Sequence, residues 1–248
     1  MGLGAEVSPA LWSWLHAKIH GERAGDVVRS SAEAVQKELL DCYALIEKMG
    51  RGVVYYGSAR LKADSPHFQA SIELSKRLAL LLGVTTWSGG GPGMMHAASI
   101  GAQEAGRPVA GIRIAREAGT TVKSLSYLTP DAQVMCRFLS SRKVALTDCG
   151  VRKEASDRTA YVFLPGGLGT MDEFFEILTL LQLKKLGTKH PVPVLLLNYG
   201  GCYDGLVQFI KGMMEHGTVG QGEFNELKVF NTNEEAVDYL KGIYGIVE

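Results

Sequence analysis

"TAYVFLPGGLGTMDEFFEIL", residues 159–178, holds three signals in a row. Tyr161 to Leu164 is a continuous apolar run, of the kind found in a strand buried on both faces. Pro165, Gly166 and Gly167 then interrupt it. Beyond Thr170 the apolar residues return at helical spacing, with Phe174, Ile177, Leu178 and Leu181 on one stripe and Glu173 and Glu176 flanking it. Glycines between a strand and a helix let backbone amides approach an anion at the positive end of the helix. Yet Asp172 and Glu173 stand where a bound phosphate would be repelled. Glu173 also follows Thr170 by three residues, the spacing of a capping box in which the carboxylate reaches back to the Thr170 backbone. On spacing alone, the capping role and a catalytic role for Glu173 stand level.

Working outward, the same alternation repeats. Strand patterns are read at 52–59, 84–87, 107–114, 124–128, 159–164, 191–198 and 227–230. Helical patterns are read at 65–83, 94–106, 131–150, from Thr170 onward, 202–217 and 233–244. Strands alternating with helices predict βαβ units and a sheet covered on both faces. The fold class is α/β: a Rossmann-like three-layer α/β/α domain with a mostly parallel sheet over 51–248. Residues 1–50 form an N-terminal helical extension of two helices. The first covers 8–20, with Ser8 as N-cap and Pro9 at its first position. The second covers 31–49, with Val35, Leu39, Cys42, Leu45 and Ile46 at helical spacing and Gly50 ending it.

In such sheets ligands bind beyond the carboxyl ends of the strands. Three glycine loops start there: Gly57-Ser58, Ser88 to Gly93, and Pro165 to Thr170. If their strands are neighbours, they line one crevice, which makes Gly57, Ser58, Gly89, Gly90, Gly91 and Met94 candidate ligand-binding residues beside the third loop. "SGGGPGMM" (88–95) is not a Walker A loop, because no Gly-Lys-Ser/Thr follows. It also lacks the third glycine of the dinucleotide fingerprint and an acid placed to hold a ribose, which disfavours NAD. "RFLSSRK" (137–143) puts Arg137, Arg142 and Lys143 on one predicted helix, where Arg137 falls about 140° from Arg142. Arg142 and Lys143 are either solvated charge or cations aimed into the crevice.

Other chemistries are excluded. Lys plus Arg and Asp plus Glu number 26 each, so no basic surplus exists for nucleic acid or a membrane surface. Apolar residues make up 46%, enough for a sizeable core, yet no run of about 18 of them offers a membrane span. Residues 1–20 lack a secretory signal pattern. Four scattered cysteines read as reduced thiols, so a cytoplasmic location is expected. His16 and His20 have i, i+4 spacing without the glutamate of a zinc-protease helix, and no metal set is expected. No G-x-S-x-G elbow appears. Trp12 and Trp14 are read as packing the N-terminal helices onto the domain or a partner.

"SGGGPGMM", "SRK" and "PGGLGTMDE", in that order and spacing, resemble the Lonely Guy family of cytokinin riboside 5′-monophosphate phosphoribohydrolases, many once labelled lysine decarboxylases. The likeness covers roughly residues 51 to 244 and is closer to the longer members. It implies cleavage of the N-glycosidic bond of a nucleoside 5′-monophosphate to free base and ribose 5-phosphate. It implies Arg142 and Glu173 as the catalytic pair and Gly166, Gly167, Gly169 and Thr170 as the phosphate loop. Lys143, Asp172 and Thr179 match positions lining the substrate site. No metal or organic cofactor is implied, and a homodimer or larger homo-oligomer is. Where family members carry Glu in "GGGPGIMEA", this chain has His96.

Overall fold

In a computed structural model, the structure describes residues 31–117, 120–121, 126–220 and 222–246. The predicted helix over 8–20, with Trp12, Trp14, His16 and His20, lies outside them. The described chain runs α1 (Ala32–Met49), β1 (Gly52–Tyr56), α2 (Pro66–Leu82), β2 (Thr85–Ser88), α3 (Met94–Glu104) and β3 (Val109–Ile114). A short ribbon follows, β4 (Arg116–Glu117) with β5 (Thr120–Thr121), and then β6 (Gln133–Cys136) and α4 (Leu139–Asp148). The second half is β7 (Ala160–Phe163), α5 (Leu168–Gln182), β8 (Val194–Leu197), α6 (Asp204–Glu215), β9 (Leu227–Phe230) and α7 (Asn233–Tyr244).

Seven strands form one parallel sheet in the order β6-β3-β2-β1-β7-β8-β9. Alternate strand residues feed the two faces, because successive side chains point to opposite sides. Val54, Tyr56, Trp87, Tyr161, Phe163, Val194 and Leu196 meet the buried faces of α1, α4, α5 and α6. Val53, Tyr55, Ala160, Val162, Leu195 and Leu197 meet α2, α3 and α7. The sheet is therefore a middle layer, and its central strands β1, β2, β7 and β8 are buried on both sides. The segment expected as an extension contributes α1 to this core through Cys42, Leu45 and Ile46. Among the described residues no helix is long and apolar enough to cross a membrane.

Two expectations are corrected. The strand expected over 124–128 is a turn over its described part, Ser126 to Leu128. Tyr127 there is buried, and its hydroxyl donates to the Gly91 carbonyl at 2.6 Å. The edge strand is instead β6, inside the stretch expected to be helix from 131 to 150. Its pairing with β3, from Gly111↔Gln133 to Ile114↔Cys136, holds these residues extended. Helix starts only after it, with Phe138 as N-cap, so Arg137 is not helical and lies exposed before α4.

The sheet order reverses between β1 and β7, the position where open α/β sheets open a crevice. Register completes the arrangement. Tyr55 pairs with Ser88 and Tyr56 with Phe163, so the loops after β2, β1 and β7 start side by side at one level.

Candidate active site

The three glycine loops meet as expected and are tied by their own backbones. Ser58 N–H donates to Pro165 O at 3.0 Å, and Met94 N–H donates to Ser58 O at 2.9 Å. The close approach requires glycine. A Cβ at Gly57 would lie 2.6 Å from Met94 Cβ. Gly93, at φ +66°, sits where a Cβ would lie 2.2 Å from Ser58 O. Ser58 is the tie between the outer loops, and its Oγ accepts from Arg60 N–H at 3.1 Å. Met94 is fully buried, with Ser71 Oγ at 3.4 Å from its sulfur; its side chain supports the loop from the core.

The third loop is held from two further sides. The Tyr203 hydroxyl donates to Leu164 O at 2.7 Å. Thr170, almost fully buried, fills the space above Gly166, where a Cβ would meet Thr170 Oγ1 at 2.1 Å. Tyr127 does for Gly91 what Tyr203 does for Leu164, and His96 stacks on the Tyr127 ring at 4.5 Å between centroids. Burial lowers the His96 pKa. Neither tyrosine is visible as a site residue in the sequence, since each reaches its loop from 36 or more residues away.

α5 begins at Leu168 with Gly167 as N-cap and no side-chain cap, and Met171 N–H donates to Gly167 O at 3.0 Å. Thr170 is therefore inside the first turn, and of the two roles that the spacing allowed Glu173, the capping box does not form. The amides of Leu168, Gly169 and Thr170 are left among the four at a helix start that have no partner within the helix. Gly167 and Gly169 have open space where a Cβ would stand.

Glu173 turns the other way. Its carboxylate accepts from Arg142 Nη1 in an ion pair between α5 and α4. Glu173 is 8% exposed, and the neighbouring Phe174 anchors this turn against Phe163 at 5.0 Å between ring centroids. Burial raises the Glu173 pKa above the ordinary carboxylate value. The charge and hydrogen bond of Arg142 pull it down, Asp172 adds to the rise, and Lys143 opposes it. The Arg142 guanidinium also lies against the second glycine loop, where a Cβ at Gly89 would be 2.2 Å from Nη2. Its Nε is buried without a hydrogen-bond partner. Gly90, at φ +63°, closes over the buried stem of Arg113, where a Cβ would meet Cγ at 2.5 Å.

Lys143 points to the adjacent face of α5. Its ammonium is 2.7 Å from Asp172 Oδ2 and 3.3 Å from Glu176 Oε2. Burial lowers its pKa, but the hydrogen bonds and charges of these two carboxylates outweigh that and raise it. Lys143 thereby offsets part of the negative charge that Asp172 places beside the loop. Lys143, Asp172 and Thr179 line a cleft of about 640 Å³ with Leu168, Met171, Phe175, Glu176 and Leu180. Glu173 lies about 100° around the helix from Asp172, so the cleft and the Arg142–Glu173 pair occupy neighbouring faces.

A carboxylate and a guanidinium, both largely out of water, thus sit between a glycine loop and an uncapped helix start. Comparison with known proteins bears on the family and the fold. The family model described as "Possible lysine decarboxylase" matches residues 95–240. The Arabidopsis thaliana cytokinin riboside 5′-monophosphate phosphoribohydrolase LOG4 is 32% identical over 178 residues, 69% of this chain and 73% of that protein. The Oryza sativa enzyme LOG is 28% identical over 176 residues, 68% of this chain and 63% of that protein. Among solved structures, TM1055 superposes with a TM-score of 0.53 at 23% identity, over 77% of this chain and 99% of that one. The molybdenum cofactor carrier protein of Chlamydomonas reinhardtii superposes at 0.50 and 18% identity, over 79% and 99%. Both share the fold. The chain belongs to the Lonely Guy family of phosphoribohydrolases.

Proposed function

We propose that the protein hydrolyses the N-glycosidic bond of cytokinin riboside 5′-monophosphates, and of AMP, to the free base and ribose 5-phosphate. The observation that carries this reading is the buried Arg142–Glu173 pair beside the uncapped start of α5. In the reaction the bond from the anomeric carbon to the base nitrogen breaks, and a water oxygen bonds to that carbon. The anomeric carbon turns positive on the way, as in glycoside hydrolysis. The Glu173 carboxylate stabilises that charge and takes a proton from the attacking water. Arg142 stabilises the negative charge that develops on the leaving base; a guanidinium is too weak an acid to give up its proton. The proton that Glu173 takes is released to solvent and the departing base nitrogen takes one up from solvent, so the net reaction adds one water across the bond.

The 5′-phosphate binds to the amides of Gly166 to Thr170, where the helix dipole favours an anion. Gly57, Ser58 and Gly89 to Gly91 shape the opposite wall. Lys143, Asp172 and Thr179 extend the substrate site along the cleft.

A panel of cytokinin riboside monophosphate, AMP, other nucleoside monophosphates, nucleosides and triphosphates, read by chromatography of released base, tests the assignment. Base release restricted to 5′-monophosphates is expected. Measurable AMP binding without base release would leave a nucleotide-binding protein in place of an enzyme. Equal rates on all purine and pyrimidine monophosphates would make it a general nucleosidase.

Gly89 offers a second check. The Cβ of Gly89→Ala would displace only the end of the flexible Arg142 side chain and Met95 Sδ, 3.1 Å away. Turnover should fall about tenfold or more, with little change in melting temperature. Wild-type turnover would mean that Arg142 is not needed where it lies.

The proposal includes a homodimer. Leu168 is 91% exposed at the rim of the cleft, an apolar side chain suited to contact with a second copy, and Leu139 and Val144 on α4 are exposed as well. Light scattering should give twice the chain mass of 26.8 kDa.

A further inference from the structure

The helix that carries Arg142 does not cap itself. α4 is ten residues long, starts at Leu139, and has Phe138 at its N-cap with no side-chain oxygen to offer. The amides at such a start need acceptors. Here they find one from α1, about a hundred residues upstream. Glu38 Oε1 accepts from Arg137 N–H at 2.8 Å, and Glu38 Oε2 accepts from Phe138 N–H at 3.2 Å. One carboxylate therefore holds two consecutive amides at the junction of β6 and α4 and places its negative charge at the positive end of the helix.

Arg142 sits one turn further on, and its own N–H donates to Phe138 O at 3.2 Å. The residue clamped by Glu38 is thus the first hydrogen-bond partner of the Arg142 backbone. One turn along α1 from Glu38, Cys42 meets Cys136, with sulfurs 3.5 Å apart and both side chains fully buried. This contact fixes α1 against the end of β6, so the Glu38 carboxylate reaches the junction from a rigid base. The matched family region begins at residue 95, so this support comes from outside it.

We propose that Glu38 is a positioning residue for the reaction, setting the orientation of Arg142 toward Glu173 and the Gly89 loop by clamping the start of α4. The inference rests on the reading of Arg142 and Glu173 as the catalytic pair. Glu38 touches neither substrate nor Arg142 side chain, and the phosphate loop lies on a different helix. Loss of the clamp should therefore act on turnover and spare binding.

The test compares E38A, E38Q, K48M and R142A in the full chain, with AMP as substrate. For E38A, kcat should fall about tenfold while KM stays within about twofold. E38Q keeps one acceptor oxygen and should lie between E38A and the wild type. Lys48, on the same helix, ties to Asp131 at 3.0 Å on the surface, and K48M should match the wild type. Circular dichroism and the melting temperature establish that each variant is folded at assay temperature.

Wild-type kcat in E38A overturns the inference, and so does an equal fall in E38A and K48M. So does an E38A loss that follows the unfolded fraction, with E38Q and E38A alike. R142A separates the two levels of the argument. If R142A keeps wild-type turnover, the catalytic reading fails. If R142A is inactive and E38A is normal, only the positioning role fails.

Discussion

Glu173→Gln should lower turnover of AMP or a cytokinin riboside monophosphate by about a hundredfold or more, while KM changes little. Glutamine keeps the shape of the side chain and one acceptor for Arg142. It removes the negative charge that the anomeric carbon requires and the base that takes the water proton. The phosphate amides at the start of α5 are untouched, so binding should persist. The single position separates reading from reading: an enzyme loses its rate, and a nucleotide-binding module keeps its affinity and had no rate to lose. Steady-state kinetics with calorimetric binding of AMP measures both. Wild-type turnover in Glu173→Gln would remove Glu173 from the mechanism.

Arg142→Ala should cost a comparable factor, about a hundredfold, and should also move the pH profile. Glu173 must be ionised to act. Burial raises its pKa, and the Arg142 charge is the largest influence opposing that rise. The acid limb of kcat/KM should therefore lie above the ordinary carboxylate range in the wild type and higher still in Arg142→Ala. Stability moves with it. A carboxyl whose folded pKa is raised favours the fold while protonated, and that contribution is lost as pH rises through the folded pKa. Arg142→Ala should lose about 3 kcal/mol at neutral pH from the buried, unpaired carboxylate and recover part of it in mild acid. Melting curves across pH check the sign. A melting temperature for Arg142→Ala that rose with pH over this range would contradict the pairing.

Much of the frame around this site is legible in the sequence. The strand runs at 52–56 and 160–163 are apolar on both faces, the run Thr-Thr-Trp-Ser at 85–88 is equally buried, and glycine or proline follows each within two residues. That pattern is local, and burial on both sides of a parallel sheet enforces it. The pairing of Arg142 with Glu173 entered through family likeness alone, because a contact 31 residues apart leaves no periodic trace. β6 was hidden for a related reason. Val134, Met135 and Cys136 fit either period, and at the sheet edge Met135 remains 44% exposed. Only the ladder with β3 settles the extended form. The supports from Tyr127 and Tyr203 were equally silent, since a tyrosine in a core looks the same whether or not its hydroxyl holds a loop.

The T-x-x-E spacing shows the division most clearly, because it occurs twice. At Thr232 and Glu235 the capping box forms. Thr232 Oγ1 accepts from Glu235 N–H at 3.3 Å, and the Glu235 carboxylate accepts from Asn231 and Thr232 N–H at 2.9 and 3.2 Å. That carboxylate is at the surface, where the backbone N–H groups before the helix donate to it. At Thr170 and Glu173 the same spacing yields no box. The glycines let the helix begin at Leu168, which moves Thr170 off the cap position. Fold-over of α4 then brings a guanidinium to a carboxylate cut off from water, and a buried charge goes to the strongest partner within reach. The sequence by itself determined the alternating layers, the three glycine loops and a helix with an acid in its first turns. The tertiary structure decided what that acid does, because the outcome depends on burial and on a partner supplied by another helix.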